Sequence, residues 1–148
     1  MPEKETLERA EEDKREGKAP STQAGEFVRE EIEHVREGKH GARSTKQAIA
    51  IGLSKARRAG VDLPPPEKGK ASTKTRKQAA RDVQKGKSGS KGKKSTKRSR
   101  ATSEALKREG HSAASKKALS RQARSAAAKR SAKSRSRSAK KAAATRKK

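Results

Sequence analysis

"REGKHGARSTKQAIAIGLSKARRAG", residues 36–60, holds the start and stop signals of one helix within a chain that charged residues otherwise dominate. Ser44 is placed to cap a helix, and Gln47 stands at the third helical position, which completes a reciprocal capping box. Three apolar residues then recur at helical spacing: Ile49, Leu53 and Ala56. Gly60 can adopt the left-handed conformation that ends many helices. The stretch therefore predicts a helix over about 45–59.

A second helical pattern precedes this one. Five apolar residues fall at three- and four-residue spacings: Ala24, Phe27, Val28, Ile32 and Val35. Pro20 and Ser21 stand before the run and Gly38 follows it, so we predict a helix over about 22–37. Two amphipathic helices with a short connection favour an antiparallel hairpin, here over residues 21–63. Its few large apolar side chains predict marginal stability, which self-association could improve.

The charge of the chain is unevenly divided. The 148 residues include 43 basic and 17 acidic side chains, which give a net charge of +26. Residues 1–38 have a net charge of −5, residues 39–66 of +5 and residues 67–148 of +26. Only 26% of the residues are hydrophobic. Low hydrophobicity combined with high net charge is typical of disordered segments, because too little apolar surface is buried to offset chain entropy.

These features predict a mostly α and disordered protein, in which a small helical hairpin precedes a long, disordered, Lys/Ala/Ser-rich tail. An acidic leader at 1–20 comes first, and a Pro-rich linker at 64–72 joins the hairpin to the basic tail at 73–148. Within that tail, "REGHSAASKKAL" (108–119) echoes "REGKHGARSTKQAI" (36–49). We therefore expect induced helix and a degenerate hairpin repeat at about 102–130.

Clustered Lys and Arg indicate a nucleic-acid partner, because they displace the counterions that surround phosphates. We predict a histone-like, nucleoid-associated protein that binds DNA phosphates without reading sequence. The tail has no aromatic side chain to stack on bases, which favours duplex DNA slightly over RNA. Alternative interpretations are a polyelectrolyte that protects or condenses other molecules under stress, and an RNA- or ribosome-associated factor. The predicted binding residues are Lys93, Lys94, Lys97, Arg98, Arg100, Lys129, Arg130, Lys133, Arg135, Arg137, Lys140 and Lys141.

Other classes of function lack their motifs. Cysteine is absent and no tight carboxylate cluster accompanies the three histidines, so we predict neither a metal site nor a cofactor. We expect His34 to pair with Glu30, one helical turn earlier. No arrangement of nucleophile, base and enclosed pocket is recognisable, so we predict that the chain is not an enzyme. The absence of a long apolar run or signal peptide predicts no membrane contact and a cytoplasmic, nucleoid location.

Residues 17–66 carry a resemblance, above all "STQAGEFVREEIEHVREGKHGARSTKQAIAIGLSKARRAGVDLPPP". This segment resembles an uncharacterised family of small basic bacterial proteins, in which the block precedes a Lys/Ala/Ser-rich tail. The resemblance covers about a third of the chain. It implies a bacterial origin and no established activity. Separately, "SAAAKRSAKSRSRSAKKAAATRKK" (125–148) is similar to the basic tails of linker histones and bacterial histone-like proteins.

Overall fold

The computed structural model describes residues 1–89 and 92–147. In that part of the chain it contains seven α-helices and one short 3₁₀ turn at Ser112–Ala114. The helices are α1 (Lys4–Arg15), α2 (Pro20–Arg36), α3 (Thr45–Arg58), α4 (Thr73–Ser88), α5 (Thr96–Lys107), α6 (Lys116–Ala128) and α7 (Ala132–Arg146). Among the described residues, no helix combines the length and apolar character that a membrane span requires.

Helices α2 and α3 lie where the sequence predicted helices at about 22–37 and 45–59, and they pack side by side. Ala48, near the start of α3, shares a buried cluster with Val35, near the end of α2. Ala56, near the end of α3, shares another cluster with Phe27. The two helices therefore run antiparallel.

Local sequence determines where these two helices begin and end. The Ser44 hydroxyl accepts the Gln47 backbone N–H at 3.2 Å, as the capping motif predicts. The Gln47 side chain accepts the backbone N–H of Arg43 at 2.7 Å, one residue earlier than in the reciprocal motif. Gly38 and Gly60 follow the two helices with φ of 75° and 97°, values that glycine adopts at little cost.

The segment interpreted as an acidic leader contains α1, which packs on α2. Ala10 is buried in the cluster that holds Phe27. Arg9 Nε lies 2.9 Å from Glu26 Oε2, and the Glu3 backbone N–H donates to Glu30 Oε2 at 3.0 Å. Helix α1 thus supplies apolar cover and ionic partners for the hairpin. The self-association of the hairpin stays a prediction.

Helix α4 packs on α3 through a buried carboxylate, Asp82. This side chain accepts hydrogen bonds from Ser54 Oγ at 2.7 Å and Arg58 Nε at 2.7 Å, both on α3. Gln78, on α4 itself, donates a third at 3.1 Å. A buried carboxylate is stable when such donors surround it, so Asp82 fixes the position of α4.

A second contact joins residues 106–114 to the connection between α2 and α3 and to the adjoining ends of those helices. Gly41 N–H donates to Leu106 O at 2.9 Å, and Ala42 N–H donates to Gly110 O at 3.0 Å. Two side-chain bonds extend the contact, from Thr45 Oγ1 to Ala113 O at 2.6 Å and from Arg36 Nε to Ala114 O at 2.9 Å. Both alanines are buried beside Ile32 and Val35. This contact seats the 3₁₀ turn and the start of α6 on the hairpin.

The prediction of a disordered tail at 73–148, and with it of an intrinsically disordered protein, is therefore wrong. Helices α4 to α7 occupy most of this range, while residues 90, 91 and 148 lie outside the described residues. Alanine, lysine and arginine all have high helix propensity. A serine caps each of the four helices by accepting a backbone N–H: Ser72, Ser95, Ser115 and Ser131. The contacts of α4 and of residues 106–114 then hold the back half against the front.

The predicted linker and the predicted repeat also have definite positions. Between α3 and α4, Arg57 donates from Nε to Leu63 O at 3.2 Å and from Nη2 to Pro64 O at 3.3 Å, which ties the start of the Pro-rich segment to α3. The range 102–130 contains the end of α5, the 3₁₀ turn and α6. Ser44 and Ser115, which the two echoing segments share, hold equivalent N-cap positions.

Candidate nucleic-acid interface

The twelve predicted binding residues are all exposed and fall into four groups in the back half. Two precede α5: Lys93 and Lys94. Three lie on α5: Lys97, Arg98 and Arg100. Two lie between α6 and α7: Lys129 and Arg130. Five lie on α7: Lys133, Arg135, Arg137, Lys140 and Lys141. The set is therefore distributed along helices, where the sequence interpretation expected a flexible arm.

Helix α7 collects four of these residues on one face. From Lys133, the next members stand four, seven and eight positions along the helix: Arg137, Lys140 and Lys141. These spacings place the side chains within one broad stripe. Arg135 falls on the opposite side. At the start of the helix, Arg130 donates from Nη2 to the hydroxyls of Ser134 and Ser138, which ties the preceding turn to α7.

Helix α6 carries a basic face that the sequence interpretation missed. Lys117, Arg121 and Arg124 follow the helical spacing of four and then three residues, and all are exposed. Leu119, on the other side of the helix, packs against the buried cluster that contains Ala113 and Ala114. Because Leu119 faces the core, the basic row faces solvent. The i, i+4, i+7 spacing of these residues could have indicated a basic face, but only if the segment was predicted to be a helix.

Helix α4 repeats this arrangement. Four exposed basic side chains share one face: Lys74, Lys77, Arg81 and Lys85. Ala79 and Asp82 are buried on the other side of α4, which packs on α3. The face of α4 that packs on α3 carries the buried residues, so the basic residues occupy the solvent-exposed face. None of these four residues was in the predicted set.

The carboxylates of the back half do not neutralise these rows. Residues 67–148 contain four, and three of them bind elsewhere: Glu67 to Lys70 at 3.1 Å, Asp82 to Arg58 at 2.7 Å and Glu109 to Arg43 at 3.8 Å. The fourth, Glu104, lies on α5, and the sequence from 110 onward has none. Within residues 1–89 and 92–147, no member of the rows on α4, α6 and α7 forms an ion pair.

A shallow groove of about 460 Å³ runs along α5 and is also predominantly cationic. It is lined by Lys94, Thr96, Ser99, Arg100, Ser103, Glu104 and Lys107. Hydroxyl and cationic groups of this kind suit contact with an anionic backbone.

The prediction that the chain is not an enzyme stays a prediction.

The basic residues at the end of α3 have internal roles. Lys55 Nζ lies 2.6 Å from Glu31 Oε2, and Arg58 binds Asp82. Arg57 is buried, and the desolvation lowers the pKa of its guanidinium. Because all three side chains have partners within the fold, we exclude them from the interface.

A separate cluster of histidine and glutamate lies at the end of α2. His40 Nε2 is 3.0 Å from Glu31 Oε1, and His34 Nε2 is 2.9 Å from Glu3 Oε1. The two imidazoles meet edge to face with their centroids 6.1 Å apart. Hydrogen bonds from His34 and Lys39 lower the pKa of Glu3. The predicted pairing of His34 with Glu30 is thus replaced by a contact with Glu3, the residue before α1.

The sequence prediction of no metal site did not anticipate this convergence. One ligand atom from each of Glu31, His34 and His40 lies within 4.8 Å of the others. His34 follows Glu31 by three residues on α2, whereas His40 returns to the same place from the connection to α3. The sequence predicts the turn at Gly38 that makes this possible. It does not indicate that the turn places His40 beside Glu31 and His34.

These features define a class: an all-helical protein whose front half is closely packed and whose back half presents basic rows to solvent. Residues 13–68 match a family described only as a family of unknown function (DUF6496). The matched range runs from the end of α1 through α3 and stops before α4. No curated protein and no solved structure matches the chain.

Proposed function

We propose that this protein binds duplex DNA without reading its sequence, as a histone-like, nucleoid-associated protein. The observation that supports the proposal is the set of basic rows on α4, α6 and α7, which face solvent with no carboxylate at ion-pair distance in the described part of the chain. Such rows release condensed counterions when they meet phosphates, and this release supplies most of non-specific affinity.

The dimensions of the helices suit this role. Helix α7 has 15 residues and is about 22 Å long, which corresponds to between six and seven base pairs of duplex at about 3.4 Å each. Its four-residue stripe can therefore follow one strand over part of a helical turn. Phe27, the single aromatic residue among Phe, Trp and Tyr, is buried, so it offers no platform for base stacking. Contacts to the sugar-phosphate backbone are thus favoured over contacts to splayed bases.

The resemblance to bacterial basic proteins extends the proposal to location. A bacterial protein of this kind acts on the nucleoid, in the cytoplasm. RNA helices also present closely spaced phosphates, so an RNA- or ribosome-associated role is the alternative that the binding experiment must separate. The second alternative is a polyelectrolyte that protects other molecules under stress. Such a protein would bind all polyanions equally well.

Fluorescence anisotropy with a labelled duplex of about 20 base pairs tests the proposal, with double-stranded RNA and heparin as competitors. If about ten phosphates are engaged, log K falls against log salt concentration with a slope of about −9. We expect duplex DNA to displace the probe more effectively than RNA of the same length. Equal displacement by DNA, RNA and heparin would favour the polyelectrolyte, and a flat salt dependence would contradict phosphate binding altogether.

Neutralising the row on α6 tests where the DNA binds. The triple variant Lys117→Gln, Arg121→Gln and Arg124→Gln removes up to three phosphate contacts, so the salt slope becomes shallower by about 2.7. At about 0.1 M salt this corresponds to a loss of affinity of up to almost three orders of magnitude. Circular dichroism of the variant verifies that its helices are retained.

A matched control removes the same charge from the front half. Lys4→Gln, Lys14→Gln and Arg29→Gln change three exposed basic residues on α1 and α2, so the net charge falls equally. We expect this variant to keep nearly the whole slope of the unaltered protein. Equal losses in the two triple variants would mean that net charge alone determines binding and that the α6 row is not part of the interface.

A further inference from the structure

We propose that Glu31, His34 and His40 form a site for a divalent transition-metal ion of which Zn²⁺ is the best fit, with Glu3 beside it at 2.9 Å from His34 Nε2. Two imidazole nitrogens and carboxylate oxygens are a common set of zinc ligands. Glu31 and His34 stand on α2 at i and i+3, which places them on one face of the helix. His40 comes from the connection to α3, and Glu3 immediately precedes α1.

The hydrogen bonds of His40 prepare its Nε2 for a metal. Its Nδ1 lies 2.9 Å from Gly41 O, and a carbonyl oxygen can only accept, so Nδ1 carries the proton. In the neutral ring, Nε2 then presents a lone pair to Glu31 Oε1 at 3.0 Å. Such a contact is satisfied either by a proton on Nε2, which gives an ion pair with Glu31, or by a metal ion that both atoms bind. Metal-binding histidines usually donate their other nitrogen to a carbonyl or carboxylate in this way, which fixes tautomer and ring orientation.

The surrounding charges leave room for a divalent cation. The connected group contains four carboxylates, from Glu3, Glu30, Glu31 and Glu37, and two ammonium groups, from Lys39 and Lys55. With both histidines neutral the sum is −2, in a chain whose net charge is +26. A divalent ion makes the group neutral. This concentration of negative charge lies on the front half, apart from the basic rows.

The two oxygens of Glu31 have different partners. Its side chain is 1% exposed, Oε2 lies 2.6 Å from Lys55 Nζ, and Oε1 faces His40. A metal can therefore take Oε1 while the lysine stays on Oε2, which fixes the direction of the carboxylate. Lys55 thus acts as a positioning residue.

The distances require only a small closure. The three ligand atoms lie within 4.8 Å of one another, whereas ligands about 2.0 to 2.1 Å from a tetrahedral zinc are about 3.4 Å apart. Glu31 and His34 are held by α2, but His40 lies outside the helices, so a shift of about 1 Å at His40 brings the three ligand atoms toward this spacing. Neutral imidazole with carboxylate favours Zn²⁺ over Mg²⁺ and Ca²⁺, which prefer oxygen ligands alone.

Isothermal titration of the full chain with zinc chloride, after dialysis against a chelator and in a non-coordinating buffer, tests this proposal. We expect one saturable site per chain. His34→Gln and His40→Gln should each weaken zinc binding by at least about tenfold, because each removes a ligand. Titration with Co²⁺ should give the visible absorption of a four-coordinate ion in the unaltered protein and lose it in both variants.

His111→Gln is the matched control, since His111 is an exposed histidine on the neighbouring segment, outside the cluster. It should bind zinc like the unaltered protein. Absence of a saturable site, or equal affinity in the unaltered protein and His40→Gln, would overturn the proposal, and so would an equal loss in His111→Gln. Should His34→Gln fail to fold, His40→Gln still decides, because residue 40 lies outside the helices.

Discussion

Replacing Phe27 with alanine is expected to lower the free energy of unfolding by about 3–5 kcal/mol. Phe27 is 1% exposed and is the largest side chain in the cluster that joins α1, α2 and α3. The buried members around it are alanines, Ala10, Ala24 and Ala56, whose short side chains cannot move into the cavity. Domains are stable by only about 5–15 kcal/mol, so the change removes a large part of the total. Urea denaturation followed by circular dichroism measures it.

Leu7→Ala is the control for this substitution. Leu7 lies on α1, which packs on α2, but its side chain is 37% exposed. Its truncation should change the free energy of unfolding by only about 0.5 kcal/mol. If both variants lose the same stability, Phe27 is not the centre of a packed core, and the front half is held by charge more than by apolar contact.

The front half could be predicted from sequence because its signals are local. A serine cap, two terminal glycines and apolar residues at three- and four-residue spacing located α2 and α3 to within about two residues. Residues such as Ser44 and Gly60 act through the backbone immediately around them. Their effect is therefore the same in the isolated segment and in the folded protein.

The back half could not be predicted in this way because its core consists of alanines and hydrogen bonds. Ala79, Ala113 and Ala114 are buried, yet a composition argument that counts large apolar side chains gives them little weight. Asp82 reads as one more charged residue in the sequence, although in the fold it is a buried acceptor for three donors. Such contacts depend on partners 24 and 28 residues away, which no local pattern indicates.

The candidate functional residues show the same difference between features that local sequence indicates and features that depend on the fold. Exposed lysines and arginines follow directly from composition, and the twelve predicted residues are exposed. The rows on α4 and α6 were missed because a disordered tail has no faces. The histidine and glutamate cluster was missed because it needs the packing of α1 on α2 and the return of the connection at Gly38.

Gly41→Ala is expected to release residues 106–114 from the hairpin. A Cβ at position 41 would lie 1.9 Å from the carbonyl oxygen of Glu109. The Cβ is fixed in direction by its own backbone and the oxygen belongs to the other backbone, so the two segments must separate. Four hydrogen bonds are then lost, those donated by Arg36, Gly41, Ala42 and Thr45. At about 1 kcal/mol each, they amount to about 4 kcal/mol.

Hydrogen exchange at the Ala42 amide reports this contact directly, because that N–H donates to Gly110 O at 3.0 Å. A loss of about 4 kcal/mol corresponds to exchange that is faster by up to about a thousandfold. Gly110→Ala is the matched control: it adds the same methyl group on the other side of the contact, where no atom lies within 4 Å of the new Cβ. Its Ala42 amide should exchange at close to the original rate. Unchanged protection in Gly41→Ala would show that the back half is not seated on the hairpin in this way, since a Cβ cannot lie 1.9 Å from a carbonyl oxygen.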